Sequence, residues 1–250
     1  MKIIRFESGL HFSYGVLKDD IISIIEGDIF DTYSVTNQSV RLSEVKILPP
    51  VSPTKIVCVG LNYLEHSAEM NDYAKDFPKL FIKPSTAIIA HNENIVTPFG
   101  VERVDYEAEL AIVIGKKAKN IEKGTSKDYI LGYTCLNDVT ARELQTVDVQ
   151  WSRAKSFDTF APLGPVIETE MDPDNVDIKL LLNGEVKQCS NTKNLIWNIS
   201  FLVEEISKIM TLLPGDVIST GTPSGCGKIE KGDMVEVVIE NIGTLTNYLI

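Results

Sequence analysis

Two carboxylates lie at the start of an apolar, strand-like segment between Asp105 and Gly115. Glu107 and Glu109 are two positions apart, and residues with this spacing on a β-strand face the same side of the sheet. Neighbouring carboxylates repel each other unless a cation compensates them, and oxygen ligands suit a hard divalent metal ion. The same spacing fits the solvated face of an amphipathic strand, so this pair alone leaves both explanations open.

A third carboxylate of interest follows the next apolar segment. We expect a short helix that is capped by Asn137 or Asp138 and runs to Gln145. On such a helix Asp138, Arg142 and Gln145 share one face, which combines a carboxylate, a guanidinium and an amide. A capped helix with an ordinary Asp–Arg pair explains the pattern equally well.

A candidate for proton transfer precedes these segments. Asn62 and Glu65 have the spacing of a capping box, so we expect a short helix to begin at Asn62. His66 and Glu69 are then i,i+3 neighbours, and a carboxylate in this position orients an imidazole that moves a proton. A surface ion pair is the other explanation. We expect a mobile loop over residues 71–79, directly after this helix.

One lysine and one loop could bind an anion. Lys83 ends a strand-like segment and is either a solvated charge or an anion ligand, while Lys155 lies in an aromatic-rich stretch that we expect to be a loop. The Gly/Thr-rich residues 219–225 offer N–H and hydroxyl groups that could hold an oxyanion. This loop lacks the lysine and the spacing of a P-loop, which argues against nucleotide binding.

The elements that must position these groups are mainly strands. Residues 1–50 read as a small β-rich appendage with strands over 2–6, 12–16 and 21–25, and the Pro-rich residues 48–53 form a connector. We therefore divide the chain into this appendage (1–50) and a catalytic domain (51–250). A hairpin turns at Asn183-Gly184, and a helix capped by Asn198 or Ser200 buries an apolar stripe.

Composition and charge exclude several classes of function. The 250 residues are 44% hydrophobic and 24% charged, as in ordinary globular proteins. A net charge of −11 without a Lys/Arg-rich run argues against nucleic acid or an anionic membrane as partner, but not against a small anion in a locally basic site. Without a transmembrane-length apolar run, a signal-peptide core or CxxC spacing, we expect a cytoplasmic protein with reduced cysteines.

These motifs, taken in order, resemble the fumarylacetoacetate hydrolase family over roughly residues 55–245. The matching segments are 60–66 (GLNYLEH) with Glu69, 81–84 (FIKP), 105–109 (DYEAE), 137–142 (NDVTAR), 155–160 (KSFDTF), Asn183-Gly184 with Gln188, 214–216 (PGD) and 220–225 (TGTPSG). The resemblance implies an α+β, mainly β fold of the mixed β-sandwich roll type, in a homodimer that holds Mg²⁺, Mn²⁺ or Ca²⁺.

The resemblance also implies roles for particular residues. It makes Glu107, Glu109 and Asp138 the metal ligands, His66 and Glu69 a catalytic dyad on a closing lid, and Lys155 an active-site lysine. Substrate contacts are expected from three polar side chains, Arg142, Gln145 and Thr222, and we add Lys83 as a further anion ligand.

The implied chemistry is that of a small 2-oxo or 2-hydroxy-dienoic acid whose enolate a Lewis-acidic metal stabilises. Relatives of this kind are C–C hydrolases of acylpyruvate or fumarylacetoacetate type, or isomerases and tautomerases. Oxaloacetate decarboxylases and keto sugar-acid hydrolases or dehydratases are the alternatives, and a non-enzymatic protein that binds a metal–oxoacid complex is a third class. The acylpyruvase and oxaloacetate branch often carries Arg where this chain has Leu61.

Overall fold

The computed structural model describes residues 1–9, 11–69 and 76–250, and most of its regular structure is β-strand. The strands are β1 (Lys2–Ser8), β2 (His11–Lys18), β3 (Ile21–Gly27), β4 (Tyr33–Arg41), β5 (Lys46–Ile47), β6 (Ile56–Gly60), β7 (Lys79–Lys83), β8 (Ile88–Ile89), β9 (Asn94–Ile95), β10 (Val104–Tyr106), β11 (Ala108–Ile114), β12 (Ile130–Asn137), β13 (Thr140–Ala141), β14 (Ala161–Glu168), β15 (Asp177–Leu182), β16 (Glu185–Asn191), β17 (Val217–Ser219), β18 (Gly227–Ile229), β19 (Met234–Ile239) and β20 (Gly243–Leu249). The α-helices are α1 (Leu64–Glu69), α2 (Arg142–Val147), α3 (Ser152–Lys155) and α4 (Ile199–Ile209). Short 3₁₀ turns cover Leu42–Glu44, Ser85–Ala87, Ser126–Tyr129 and Thr192–Asn194.

The largest sheet follows the order β4-β3-β2-β1-β14-β12-β11-β17-β6-β7, with β5 paired to β1 and β8 paired to β14. It is mixed, because β17 pairs antiparallel with β11 but parallel with β6. A five-stranded sheet has the order β16-β15-β19-β20-β9, and a small three-stranded sheet has the order β13-β10-β18. The predicted fold class, α+β and mainly β with mixed sheets, is confirmed.

Strand β11 lies at the centre of the core and is buried along its whole length. Leu110 and Ile112 belong to the same apolar cluster as Ile178 of β15 and Leu202 of α4. The alternate residues of β11 pack on the opposite side, where Val113 joins a second apolar cluster. A strand buried on both faces reads as a continuous apolar run, which explains the sequence between Leu110 and Ile114.

The first three predicted strands form as β1, β2 and β3, but β4 was not predicted. Its residues are mostly exposed and polar, so no apolar alternation marks it, and it is held by antiparallel pairing to β3. Strand β1 pairs with β14, which joins the N-terminal strands to the large sheet. The division of the chain after residue 50 stays a prediction.

Two sequence predictions in the second half of the chain are confirmed. Strands β15 and β16 form the hairpin, and Asn183 and Gly184 have the positive φ angles of 53° and 82° that a type I′ turn requires. Asn198 caps α4 by accepting a hydrogen bond from the Phe201 amide. None of the helices in the described ranges is long and apolar enough to cross a membrane.

Candidate metal centre and active site

The three predicted metal ligands come together in the core. Glu107 lies between β10 and β11, Glu109 is the second residue of β11, and Asp138 follows β12. Each of the three offers a carboxylate oxygen within 4.8 Å of the others, and all three side chains are buried. We call these three residues the acidic triad.

Strand pairing explains why residues so distant in sequence meet here. Ala108 pairs with Asn137 in the antiparallel β11–β12 ladder, which places Asp138 beside Glu107. The Asp138 amide donates to the Glu107 carbonyl at 2.9 Å, and the Asn137 side chain accepts the Glu107 amide at 2.9 Å. The triad is therefore positioned by the backbone of the two central strands.

We expected a helix from Asp138 to Gln145, and the predicted start of this helix is wrong. Helix α2 starts only at Arg142, because Thr140 and Ala141 form β13 and pair with β10. Asp138 thus lies in extended backbone before the helix. Arg142 does not pair with it; the guanidinium binds Asp105 at 2.8 Å and Glu107 at 2.6 Å instead.

Buried cations compensate two members of the triad. Lys155 Nζ lies 2.7 Å from Glu107 Oε2 and 2.6 Å from Asp138 Oδ2. Lys83 Nζ lies 2.5 Å from the other oxygen of Asp138. Burial by itself raises the pKa of Glu107, but the charges of Lys155 and Arg142 outweigh it and hold this pKa below its usual value. Burial likewise opposes the charge of Lys155, yet Asp138 and Glu107 raise its pKa, so the lysine stays an ammonium ion.

Glu109 differs from the other two carboxylates. In the described part of the chain no cation pairs with it; Ser219 Oγ donates to its Oε2 at 2.5 Å and the Gly221 amide at 2.9 Å. Burial, together with the negative charges of Asp138 and Glu107, raises the pKa of Glu109 to about 8. Among the described residues, Glu109 is therefore the one triad carboxylate without an ion-pair partner, and it offers an oxygen within 4.8 Å of the other two. An all-oxygen donor set of this kind fits Mg²⁺, Mn²⁺ or Ca²⁺.

His66 and Glu69 make the predicted contact. His66 Nδ1 lies 3.0 Å from Glu69 Oε2 on α1, and the imidazole is buried. The Glu69 carboxylate also accepts the Gly225 amide, at 3.2 Å to Oε2. Since Nδ1 is engaged by Glu69, Nε2 is the ring nitrogen that remains for other partners.

Asn62 does not cap α1, contrary to our expectation. The helix begins at Leu64, and the Asn62 side chain is fully buried. Its amide group exchanges hydrogen bonds with the backbone of Trp197, and it also donates to the Thr220 carbonyl at 2.7 Å. Backbone groups that cannot reach water need such partners, and this need overrides the local capping preference. Asn62 thus ties the start of α1 to the Gly/Thr-rich loop.

A cavity of about 250 Å³ opens onto the triad. Polar groups from several elements line it: the three triad carboxylates, His66, Arg142, Gln145, Thr146, Lys155 and Thr222. Its remaining wall is largely apolar and contains Val59, Gly60, Leu61, Phe81 and Trp151. All the predicted site residues except Glu69 and Lys83 line this cavity. Glu69 does not line the cavity but contacts His66 Nδ1, and Lys83 is buried next to Asp138.

The apolar wall was not predicted as part of the site. Trp151 packs edge-on against Phe81 with 5.4 Å between ring centroids, and a Cβ on Gly60 would meet the indole at 2.5 Å. Gly60 is thus small because the indole lies against it. The aromatic residues of this stretch were visible in the sequence, but nothing in their spacing pointed to Gly60. Residues 70–75, most of the predicted mobile loop, lie outside the described residues.

Two family models match the chain. Residues 55–250 match the model described as fumarylacetoacetate (FAA) hydrolase C-terminal, and residues 1–50 match Rv2993c-like, N-terminal. The part of the chain that holds the acidic triad is thus a fumarylacetoacetate (FAA) hydrolase C-terminal domain. The chain belongs to the fumarylacetoacetate hydrolase family, and the resemblance seen in its motifs is confirmed.

Relatives and solved structures extend over nearly the whole chain. Protein MJ1656 of Methanocaldococcus jannaschii is 56% identical over 84% of this chain and 86% of its own length. The mitochondrial oxaloacetate tautomerase Fahd2a of Rattus norvegicus is 40% identical over 83% of this chain and 70% of its own. The structure of 5-carboxymethyl-2-hydroxymuconate delta-isomerase from Mycobacterium smegmatis superposes with a TM-score of 0.94 at 42% identity, covering 100% of this chain and 99% of that one. Maleylpyruvate hydrolase from Sphingobium sp. SYK-6, solved with manganese(II) and pyruvate, superposes at a TM-score of 0.84 and 29% identity, with coverage of 100% and 99%.

Proposed function

We propose that the protein is a divalent-metal-dependent isomerase or tautomerase of a small 2-oxo or 2-hydroxy-dienoic acid. The observation that carries this proposal is that His66, oriented by Glu69, lines the same cavity as the acidic triad. One cavity thus combines a candidate general base with a candidate cation site. The names of the rat relative and of the Mycobacterium smegmatis structure support proton transfer as the reaction.

Glu107, Glu109 and Asp138 would hold the metal ion. When bound, such a cation polarises the oxygen of a 2-oxo group and makes the neighbouring carbon more acidic. Mg²⁺ is our first expectation, and Mn²⁺ or Ca²⁺ are alternatives; the maleylpyruvate hydrolase structure with manganese supports the general class.

In the proposed reaction His66 Nε2 takes a proton from the carbon next to the 2-oxo group and returns it at another position. Glu69 holds the imidazole in place and stabilises its charged form. Lys155 keeps its proton, since Asp138 and Glu107 raise its pKa, and it therefore acts as a fixed positive charge. Such a charge favours the developing oxyanion in a site that excludes water.

Substrate contacts are proposed for three polar side chains of the cavity. Asp105, Glu107 and Gln145 hold the Arg142 guanidinium from three sides, so it offers a rigid positive edge. Gln145 accepts from Arg142 at 2.5 Å, which leaves its amide N–H groups for a ligand oxygen. Thr222 contributes a hydroxyl. Lys83 is buried and lies on Asp138, so we assign it to charge compensation rather than to the substrate.

Proton exchange at pyruvate tests this function without knowledge of the natural substrate. With Mg²⁺ present, the protein should exchange the methyl protons of pyruvate for deuterium in D₂O, as followed by NMR. His66→Ala should lose the exchange, whereas His11→Ala, which changes an exposed histidine on β2, should retain it. Oxaloacetate and hydroxymuconate-type diacids then identify the preferred substrate. Exchange that survives His66→Ala, or that ignores a metal chelator, would contradict the proposal.

C–C hydrolysis is the second candidate. It is supported by the structural likeness to maleylpyruvate hydrolase and requires the same dyad to activate water rather than carbon. Turnover of an acylpyruvate, with pyruvate as a product, distinguishes C–C hydrolysis from isomerisation or tautomerisation. We also propose a homodimer, in keeping with the family resemblance, which light scattering of the purified protein tests.

A further inference from the structure

Gln188 is the one fully buried side chain of a largely exposed strand. The other residues of β16 are exposed or half-buried, whereas Gln188 is 1% exposed. A buried amide needs hydrogen-bond partners, because each unpaired polar atom costs free energy. The hydrogen-bond partners of Gln188 show which parts of the chain this side chain connects.

The amide of Gln188 bridges β11 and the Gly/Thr-rich loop. Its Oε1 accepts the Ala108 amide at 2.9 Å, and Ala108 lies between the triad residues Glu107 and Glu109. Its Nε2 donates to the Pro223 carbonyl at 2.8 Å and to Thr222 Oγ1 at 2.9 Å, and it lies 3.5 Å from Cys226 Sγ.

The orientation of this amide follows from its backbone partners. A backbone N–H only donates and a backbone carbonyl only accepts. Oxygen must therefore face Ala108, and nitrogen must face Pro223. Thr222 consequently receives a hydrogen from Gln188, and its own hydroxyl hydrogen must point elsewhere.

The hydroxyl hydrogen of Thr222 can point into the cavity. In residues 1–9, 11–69 and 76–250 no acceptor takes a hydrogen bond from Thr222 Oγ1, and Thr222 lines the cavity at the triad. An acceptor inside the cavity, such as a carboxylate oxygen, satisfies it.

We propose that Gln188 is a positioning residue that fixes Thr222 as a hydrogen-bond donor toward the anionic end of the substrate. This inference rests on the proposed function, because it assumes a small oxo acid in the cavity. Gln188 also binds the backbone between two proposed metal ligands, so one side chain relates the donor to the triad. Without it, the Thr222 hydroxyl is free to turn its hydrogen to a protein acceptor.

The test measures oxalate binding to the Mn²⁺-saturated protein by calorimetry. Gln188→Glu keeps the shape of the side chain but replaces the donor with an acceptor, which takes the Thr222 hydrogen for itself. Oxalate should bind more weakly by about tenfold or more, as expected for a lost hydrogen bond to a charged ligand. Mn²⁺ affinity should not fall, since the triad is unchanged and the added negative charge favours a cation. Gln38→Glu, an exposed glutamine on β4, is the matched control for the added charge.

A double-mutant cycle separates positioning from a merely structural role. Thr222→Val should lose the same affinity, Thr222→Ser should retain it, and the double variant Gln188→Glu/Thr222→Val should bind no more weakly than Thr222→Val alone. If Gln188→Glu does not fold, Gln188→Met in the same cycle decides the question, because it removes the donor to Thr222 and leaves the threonine hydroxyl free to rotate.

Three outcomes overturn the inference. Additive losses in the cycle, unchanged oxalate affinity in Gln188→Glu, or loss of Mn²⁺ binding in that variant each exclude an action through Thr222. Failure of the wild-type protein to bind Mn²⁺ and oxalate at all is a different result, visible before any variant is made, and it removes the proposed function as well.

Discussion

Glu69 accepts the amide of Gly225 at 3.2 Å while it holds the imidazole of His66 at 3.0 Å. One carboxylate thus connects α1, which carries the candidate base, to the loop that carries Thr222. The Glu69 side chain is 41% exposed, so these two contacts help to fix its position and, through it, that of the imidazole.

Glu69→Gln should lower the turnover number by about tenfold to a hundredfold, because a neutral amide orients the imidazole less well and does not stabilise its charged form. The KM should change little, since Glu69 does not line the cavity. Steady-state kinetics on the best substrate checks this split. Glu65→Gln, an exposed change on the same helix, is the control; an equal loss there would assign the effect to the helix as a whole.

Lys155→Met should lower the free energy of unfolding by about 3 kcal/mol in the presence of a chelator, because Glu107 and Asp138 lose a buried partner. Mg²⁺ should restore part of the loss by supplying positive charge to the same carboxylates. Urea unfolding with EDTA and with Mg²⁺ measures both effects. Lys117→Met, at an exposed position, should leave stability unchanged, and equal effects of the two substitutions would contradict the charge-pair explanation.

Metal binding should become weaker as the pH falls below about 8, the pKa of Glu109 without a cation. A cation requires the ionised carboxylate, so below this pH it must displace a proton, and affinity should fall by up to about tenfold per pH unit. Calorimetry at pH 7 in two buffers of different ionisation enthalpy counts the released protons. Wild-type protein should release close to one proton, and absence of release would show that Glu109 is already ionised.

Asp216→Asn should destabilise the protein by about 2 kcal/mol at neutral pH, since the carboxylate binds Lys55 and Thr54. Burial raises the pKa of Asp216, but the hydrogen bonds of Lys55, Thr54 and the Leu213 amide outweigh it, so the pKa is lowered. The carboxylate therefore stabilises the fold above its unfolded pKa, and this contribution disappears as the pH falls through the lower folded pKa.

Urea unfolding at several pH values tests the direction of this pH dependence. The difference in stability between wild type and Asp216→Asn should be largest at neutral pH and should shrink in acid. Asp148→Asn, which alters an exposed pair with Arg153, is the control and should show little effect at any pH. A difference that grows toward acid would contradict the assignment.

The site was largely predictable where local spacing decides the contact. His66 and Glu69 meet because they are three residues apart on a helix, and Asn183-Gly184 turns the hairpin because its backbone demands positive φ. The motifs also named Asp138 as a partner of Glu107 and Glu109, although their proximity results from the pairing of β11 with β12.

The failures at the candidate site involve long-range contacts that local preferences do not predict. Asn62 has the sequence of a helix cap but binds the backbone of Trp197 and Thr220, and Asp138 is kept out of α2 by pairing of β13. The contact of Trp151 with Gly60 joins residues with no common local pattern. None of these contacts leaves a periodic signal in the chain.

The lysines beside the triad have a consequence for how the protein matures. Because Lys155 and Lys83 already hold Glu107 and Asp138, the core can fold around its acidic residues before any metal arrives. Small zinc domains, by contrast, gain their structure only from the ion. If the triad holds a cation, as proposed, we therefore expect loading to follow folding, so that the ions available to the folded chain decide which cation is bound.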